Sequence, residues 1–544
     1  MIHSRNYRFL CSFLSAMMFF VFCVEIIHAG DWTGFRGPNR DGVAYESGLL
    51  RKWDENGPPL LWRSSIGASE NGLAIVGSMT YTITVKSGME VVVCLENKTG
   101  KMVWARPIGK AVAKTAYPMQ RSTPTFYKNF LYVLSSSGNL VCLNTSNGFV
   151  KWTRNIVATA GGVMPPGGYS ESPYVDGKWV LVTPGGPNAT IVAIDRHYGR
   201  NVWVAKAGFP AGYSSMVKAS FGGEHQYVQF TGGGAVGVKV RGGDVRWKYE
   251  TTAHKSGVNI NTPIWYGQTV LTSSAAGTGL AWVQKAGSTY KVEQQWFDES
   301  LKIPTGNMVK VNDNVFACTD KGLVCFSYKE GKVLWTDSSL FPKEEPASSS
   351  ATKTPAKTSA PKAPAGDAAP AAPAVKKTAS LGSSLMIPAN PAMWLLGFAE
   401  NCPPGTPMSS AAAPAPVIPP AGKATFKRAA LPPQPTKMAG IAYAEGLLYV
   451  RTSAGELALV EASPAGFKLK SKFSLPQMKK GVVQAPIISN GLMFLREGST
   501  VFCFDIHNIS AKDKATGGQG TGGKPLPGMP EAPKTPVRTA PRVG

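Results

Sequence analysis

The sequence predicts an all-β chain, an eight-bladed β-propeller of four-stranded antiparallel blades whose ring is closed by an N-terminal strand. Three observations carry this expectation. A motif ending in tryptophan recurs along the chain, its copies stand about one four-stranded sheet apart, and a strand near the start has the form of the piece that the last copy lacks. The chain has 544 residues, 59 of them Gly and 42 Pro, which is too long for one ordinary core and rich in turn formers. Length alone would suggest about three or four domains, unless one unit is repeated around a ring or along a solenoid.

The repeat is visible as Val91-Val-Val-Cys-Leu-Glu-Asn-Lys-Thr-Gly-Lys-Met-Val-Trp104, then Leu140 to Trp152 and Ile191 to Trp203. It recurs with drift from Ala235 to Trp247, Leu280 to Trp296 and Leu323 to Trp335. A seventh copy from Leu457 carries Phe473 in place of tryptophan, and an eighth from Val501 stops at Asn508 without reaching an aromatic residue. The missing piece stands at the other end, where Leu60-Leu-Trp62-Arg-Ser-Ser-Ile66 reads as a closing strand with no partners before it. From Trp62 to Trp335 the tryptophans are 39 to 51 residues apart. The step from Trp335 to Phe473 is 138 residues, and removing the 95 residues of 341–435 leaves 43, one more repeat.

Within a unit, β-branched and aromatic runs alternate with Gly, Asn and Asp, as in the strand-like run Thr125 to Leu134, then Asn139 to Asn144 and Phe149 to Arg154. Such runs mark hairpins, and four short strands in about forty-four residues make a propeller blade. The tryptophan falls on the outermost strand, where its ring can cover the adjoining sheet. Burying it contributes roughly 4 to 6 kcal/mol as an upper bound. An open stack of sheets would leave two bare edges, whereas pairing 60–66 with the last repeat leaves none.

The segments outside the repeats differ in kind. Residues 1–29 place Arg5 and Arg8 ahead of an apolar run from Phe9 to Ile27 that ends near Ala29, the layout of a secretory signal peptide. An uncleaved membrane anchor is the competing reading. A leader follows at 30–57, then the closing strand and six blades at 58–340, an Ala/Pro/Lys-rich insertion at 341–435, two blades at 436–510 and a basic tail at 511–544. The insertion and the tail are too poor in core formers to fold alone and are expected to be disordered or extended. An apolar island in the insertion, from Leu385 to Phe398, reads either as a segment docking on a blade or as a linear motif for a partner.

The chain carries 57 Lys and Arg against 33 Asp and Glu, a net charge of +24, which excludes an acidic surface and leaves anionic polymers or a membrane surface as partners. Export makes nucleic acid an unexpected partner. Cys94, Cys142, Cys325 and Cys503 hold equivalent places in four repeats and are expected to be separate packing residues. No Cys-x-x-Cys and no His-x-x-x-His occurs, so neither a zinc ribbon nor covalent haem is supported.

The residues just before each innermost strand should gather at one mouth of the channel. They include Arg121, Ser122, Glu171, Tyr213, Asn259, Asn261, Asn307 and Gln484. With Glu171 near Asn261, such a ring of hydrogen-bonding groups suits a polar ligand or a hard cation. The alternatives are that Ser, Thr and Asn there satisfy turn backbone, and that Arg121 and Glu171 pair across neighbouring blades. The loop 159–169, with Met164 and Tyr169 among glycines, is a candidate protein-binding loop.

The alternation of apolar residues, Asp or Asn, Thr-Gly-Lys and Val-Trp resembles the repeat of quinoprotein-type eight-bladed propellers, also called PQQ-like repeats. Asp31-Trp-Thr-Gly-Phe-Arg-Gly-Pro-Asn-Arg-Asp-Gly42 resembles the leader of exported bacterial proteins of that kind. The resemblance implies one of two trades. Catalytic members hold pyrroloquinoline quinone and calcium in the ring centre with a vicinal disulfide and a catalytic aspartate, and this chain has no Cys-Cys pair. Non-catalytic members resemble the periplasmic scaffold subunit of the outer-membrane barrel assembly machinery, which is lipid-anchored; here no cysteine of the first thirty residues has the setting of a lipid-attachment site. The expectation is therefore an exported, non-catalytic scaffold for protein partners in the envelope, or for a ligand, periplasmic or secreted and without a cofactor. A quinone-dependent oxidoreductase is the alternative.

Overall fold

In the computed structural model the described residues are 30–112, 122–304, 308–341, 437–475 and 483–508. The chain divides into two units, Met1–Lys343 with Thr425–Gly544, and Glu344–Ala424. The second unit, the apolar island, the N-terminal apolar run and the basic tail lie outside the described residues.

The described strands form eight antiparallel meanders of four strands. Numbered in chain order, blades 1 to 7 occupy 74–110, 125–155, 174–205, 217–249, 264–298, 309–337 and 439–474. Blade 8 combines Ile487–Ser489, Leu492–Glu497 and Thr500–Asp505 with Leu60–Ser65, whose Trp62 stands opposite Cys503 and whose Arg63 stands opposite Phe502. The ring is closed by its own N-terminal strand, as the sequence predicts. The run 125–134 is two strands rather than one, because Lys128 and Asn129 take φ of 48° and 60° and turn it into a hairpin.

Alternation along the two middle strands of each blade fills the seams with apolar side chains, so the core is divided among the seams rather than gathered at one centre. One cluster joins blades 1 and 2 through Ile83, Val92, Leu131 and Leu143. The largest joins blades 7, 8 and 1 and takes in Trp32, Leu49 and Trp53 from the leader. Cys94, Cys142, Cys318, Cys325 and Cys503 are free and buried in these seams, and burial pushes the Cys94 thiol up to about 12, which keeps it protonated and inert.

The motif also clasps blade to blade. The Trp104 indole N–H donates to the Thr145 carbonyl of the next blade at 2.9 Å, and its ring lies where a Cβ on Gly148 would come within 2.6 Å. Trp62, Trp152 and Trp296 do the same to the Asn97, Arg196 and Tyr328 carbonyls, over Gly100, Gly199 and Gly331. The turn glycine is needed twice over, for a positive φ (68° at Gly100) and for room under the ring. On the outer strand of seven blades the residue just before the tryptophan is a β-bulge, which twists the free edge and blunts it against pairing with another chain. In blade 7 the bulge is Lys470, ahead of Ser471, so Phe473 stands two residues beyond the tryptophan register rather than in its place.

Candidate functional site

In each meander the innermost strand begins at one end of the channel and its hairpin turn lies at the other. The first end is the mouth picked out in the sequence. Among the residues expected there, Arg121 and Asn307 lie outside the described residues. Ser122, Glu171, Tyr213, Asn259, Asn261 and Gln484 stand ahead of the inner strands of blades 2, 3, 4, 5 and 8.

Most of these side chains hold backbone together. The Asn261 amide donates to the Ser273 and Ile303 carbonyls, and the Asn259 amide donates to Thr231 O at 2.8 Å while its oxygen accepts from His254 N–H. Tyr213 OH accepts from Gly167 N–H, and the Gln484 amide donates to Glu70 O. Ser122 is buried, and its carbonyl accepts from the Asn71 amide. Glu171 accepts from Thr183 N–H and from the Gln229 amide. It therefore works within blades 3 and 4, two blades from where Asn261 links blade 5 to the start of blade 6, and no hydrogen bond joins the two among the described residues.

The partner facing Glu171 comes from the leader. Asp31 accepts from Gly77 N–H, and Trp32 exchanges backbone hydrogen bonds with Ile75. Farther along, Glu46 accepts from the N–H groups of Asn490 and Gly491. These contacts hold both limbs of the leader at the hairpin end. Between them, 34–42 forms a tight loop with Gly37 N–H donating to Gly34 O and Gly42 N–H to Arg36 O. The loop reaches through the channel to the mouth. There the Arg40 guanidinium donates to the carbonyls of Ser172, Pro173 and Met216 and lies 4.8 Å over the Tyr174 ring. Arg36 donates to the carbonyls of Arg40, Asp41 and Met308. Val43–Ala44 then pairs in parallel with the inner strand of blade 7, adding a fifth strand to that sheet inside the ring.

Desolvation lowers both guanidinium groups to about 10, so both remain charged at neutral pH. Burial raises Glu171 to about 7, against the opposing hydrogen bonds from Thr183 and the field of Arg40. The leader thus acts as an internal ligand: two cations held by a collar of carbonyls, those of the leader itself and of the approaches to blades 3, 4 and 6. Sequence reasoning assigned it no structural role. The available signal was two arginines four residues apart among Gly34, Gly37 and Gly42, where a close backbone approach is affordable only to glycine.

A cavity of about 50 Å³ lies between Trp32, Arg36, Thr123 and Gln484, room for ordered water rather than for an organic ligand. Among the described residues, no group of three or more His, Cys, Asp or Glu is placed to hold a metal ion. The loop 159–169 is folded onto the mouth: a short helix, Ile156–Ala160, capped by the Asn155 side chain, leads into it. Tyr169 is buried with its OH donating to Pro184 O, which corrects its expected place at an apolar tip. Met164 is exposed. Among the described residues no helix is long and apolar enough to cross a membrane.

Comparison with known proteins agrees with this architecture. Residues 118–337 match the family described as outer membrane protein assembly factor BamB. No curated protein matches. Among solved structures, the quinohemoprotein alcohol dehydrogenase of Comamonas testosteroni is similar over 89% of this chain and 81% of its own, at 11% identity and a TM-score of 0.52. BamB from Moraxella catarrhalis, also 11% identical, is matched over 82% of this chain and 100% of its own with a TM-score of 0.49. Eight four-stranded sheets in a ring make this chain an eight-bladed β-propeller, and its residues 118–337 are similar to the PQQ-like repeats of that family model.

Proposed function

We propose that this chain is a protein-interaction scaffold of the cell envelope, exported by its N-terminal segment, that binds partners through the loops at the channel mouth rather than within the channel. The observation that carries this reading is the leader loop: Arg36 and Arg40 occupy the place where a propeller of this kind would receive a ligand. Recognition is thereby left to the outer surface, where Met164 stands on a loop pinned at Val163 and Tyr169. The family description, an assembly factor of outer membrane proteins, supports the same trade.

The residues present do not fit pyrroloquinoline quinone with calcium. Glu171 is the carboxylate at the collar, its oxygens are taken by Thr183 and Gln229, and it faces a fixed guanidinium that would repel a cation. The test is photocrosslinking of the full-length chain in its native envelope, from position 164 and, as a control, from position 334 on the outer strand of blade 6. A discrete partner captured from 164 and not from 334 is the expected result. Equal capture from both positions overturns the reading, as does dye-linked alcohol oxidation that appears on adding pyrroloquinoline quinone and calcium.

A further inference from the structure

Between Glu96 and Glu171 the chain has no acidic residue and nine Lys or Arg. The repeat gives this bias a place. The turn between the third and fourth strands of each blade, and the start of the fourth strand, lie at the end of the ring opposite the mouth. In a propeller equivalent positions stand at one height around the axis, so these segments form a single lip. On blades 1 to 3 the lip is continuous, because Trp104 bonds to the 145–149 turn and Trp152 to the 196–200 turn.

That lip is amphipathic. Met102, Phe149 and Tyr198 project from it at 48%, 64% and 73% exposure, one from each blade. Lys98, Lys101, Lys151 and Arg200 stand among them, with Lys151 Nζ 4.6 Å over the Phe130 ring and the Arg200 guanidinium 6.0 Å over Tyr198. None of these four cations has an ion-pair partner among the described residues. The acids at the borders are already used: Glu96 accepts from the Thr99 hydroxyl, and Asp195 accepts from the N–H groups of His197 and Tyr198. On blades 6 and 7 the picture reverses, since Lys329 lies 3.8 Å from Asp313, Lys468 3.4 Å from Glu461 and Lys472 2.9 Å from Glu456.

We propose that the lip of blades 1 to 3 docks the propeller on an anionic lipid surface. Unneutralised cations supply the attraction, and exposed apolar side chains at the same height supply a second, insertable anchor, the pairing that peripheral attachment requires. A soluble polyanion would use the charge and leave Met102 and Phe149 in water, which is why lipid is the occupant that the surface fits. Docked this way, the ring presents its mouth away from the bilayer. The proposal concerns a different face from the mouth and stands whether or not a protein partner binds there.

The experiment is sedimentation of the full chain with vesicles of phosphatidylcholine, with and without phosphatidylglycerol. It compares the parent with K98E/K101E/K151E and with a charge-matched control on blades 6 and 7, K329E/K332E/K468E. The expected result is a loss of about a hundredfold in partition onto the anionic vesicles for the first variant and a much smaller loss for the control, with unchanged thermal unfolding in both. In addition, F149W should show a new fluorescence component quenched by brominated lipid. Equal losses for the two variants would reduce the effect to net charge and overturn the proposal. Absence of quenching at 149, with equally tight binding to soluble polyglutamate, would assign the surface to acidic proteins instead and overturn it too. Should the triple variant unfold, K98Q/K101Q/K151Q is read in the same way.

Discussion

The seam that closes the ring and the seam between blades 4 and 5 begin from the same motif and reach different solutions. At closure, Trp62 donates across the seam to Asn97 O at 2.7 Å and meets Phe494 edge-on. One blade back, Phe473 packs under Gly57, a residue of the leader that supplies the turn glycine the eighth repeat never writes. A buried ion pair, Arg451–Glu497 at 2.5 Å, links blades 7 and 8 as well. At the other seam Trp247 turns into its own blade: its N–H donates to Gln226 at 2.7 Å and its ring lies over Gly237. The neighbour offers nothing to clasp, because blade 5 extends its outer hairpin to two ten-residue strands and carries its turn glycine, Gly287, into open space. Tyr290 OH, donating to Phe221 O, and Tyr249 OH, donating to the Gln294 side chain, hold that seam instead. The difference teaches that a shared residue type does not guarantee a shared role. The clasp needs both a ring and a glycine at the right height on the next blade.

The comparison can be broken most severely at closure. Trp62→Ala removes a buried ring from the N-terminal strand that completes blade 8 by pairing with the far end of the chain, and should lower the unfolding free energy by about 4 kcal/mol in a urea titration. Gly57→Val should cost about 3 kcal/mol, since φ is +80° and the new Cβ would meet the Phe473 ring at 2.6 Å. Gly287→Val, with φ of +64° and nothing within 4 Å, carries only the backbone strain and should cost about 1 to 2 kcal/mol. A smaller step is Trp247→Phe, which keeps most of the ring and loses the bond to Gln226; about 1 kcal/mol is expected. Equal costs for the two glycine variants would show that the closure contact contributes nothing.

A further effect concerns pH. Burial lifts Glu171 from 4.5 to about 7, so the folded chain holds a proton there that the unfolded chain has released. Its contribution is present in full below about pH 4.5 and is lost as pH rises toward 7. Glu171→Gln should therefore flatten the decline in stability between those values, as measured by unfolding midpoints across pH, and should leave stability below pH 4.5 nearly unchanged. A decline of the same steepness in the variant would place the titration elsewhere.

Much of the architecture was legible because a blade is a local object. Its strands are neighbours in sequence, so the alternation of Val91 to Leu95, the Asn-Lys-Thr-Gly turn and Trp104 report a complete sheet without reference to distant residues. Closure was legible for a related reason, since the fragment at Leu60–Ser65 matches what Val501 to Asn508 leaves out. The inward turn of Trp247 was not, because whether a clasp forms depends on the length of a hairpin in the following blade. The mouth residues were placed but their employment was hidden. Asn259, Asn261 and Gln484 look like ligands in a list and prove to bind carbonyls whose positions come from other blades. Tyr169 likewise reads as an exposed aromatic until Pro184 and Gly138 are brought against it.

The amino-acid order alone determined the number of blades, the recurring tryptophan on their outer strands and the completion of the last sheet, because short-range alternation and turn chemistry act within about forty residues. Only the closed ring decided what fills its axis. The glycines around Arg36 and Arg40 hint at a close approach but not at what the two arginines meet. The arginines are drawn into the channel because the approaches to the inner strands of blades 3, 4 and 6 present a collar of carbonyls that a buried cation can satisfy, and that collar does not exist until the ring has formed.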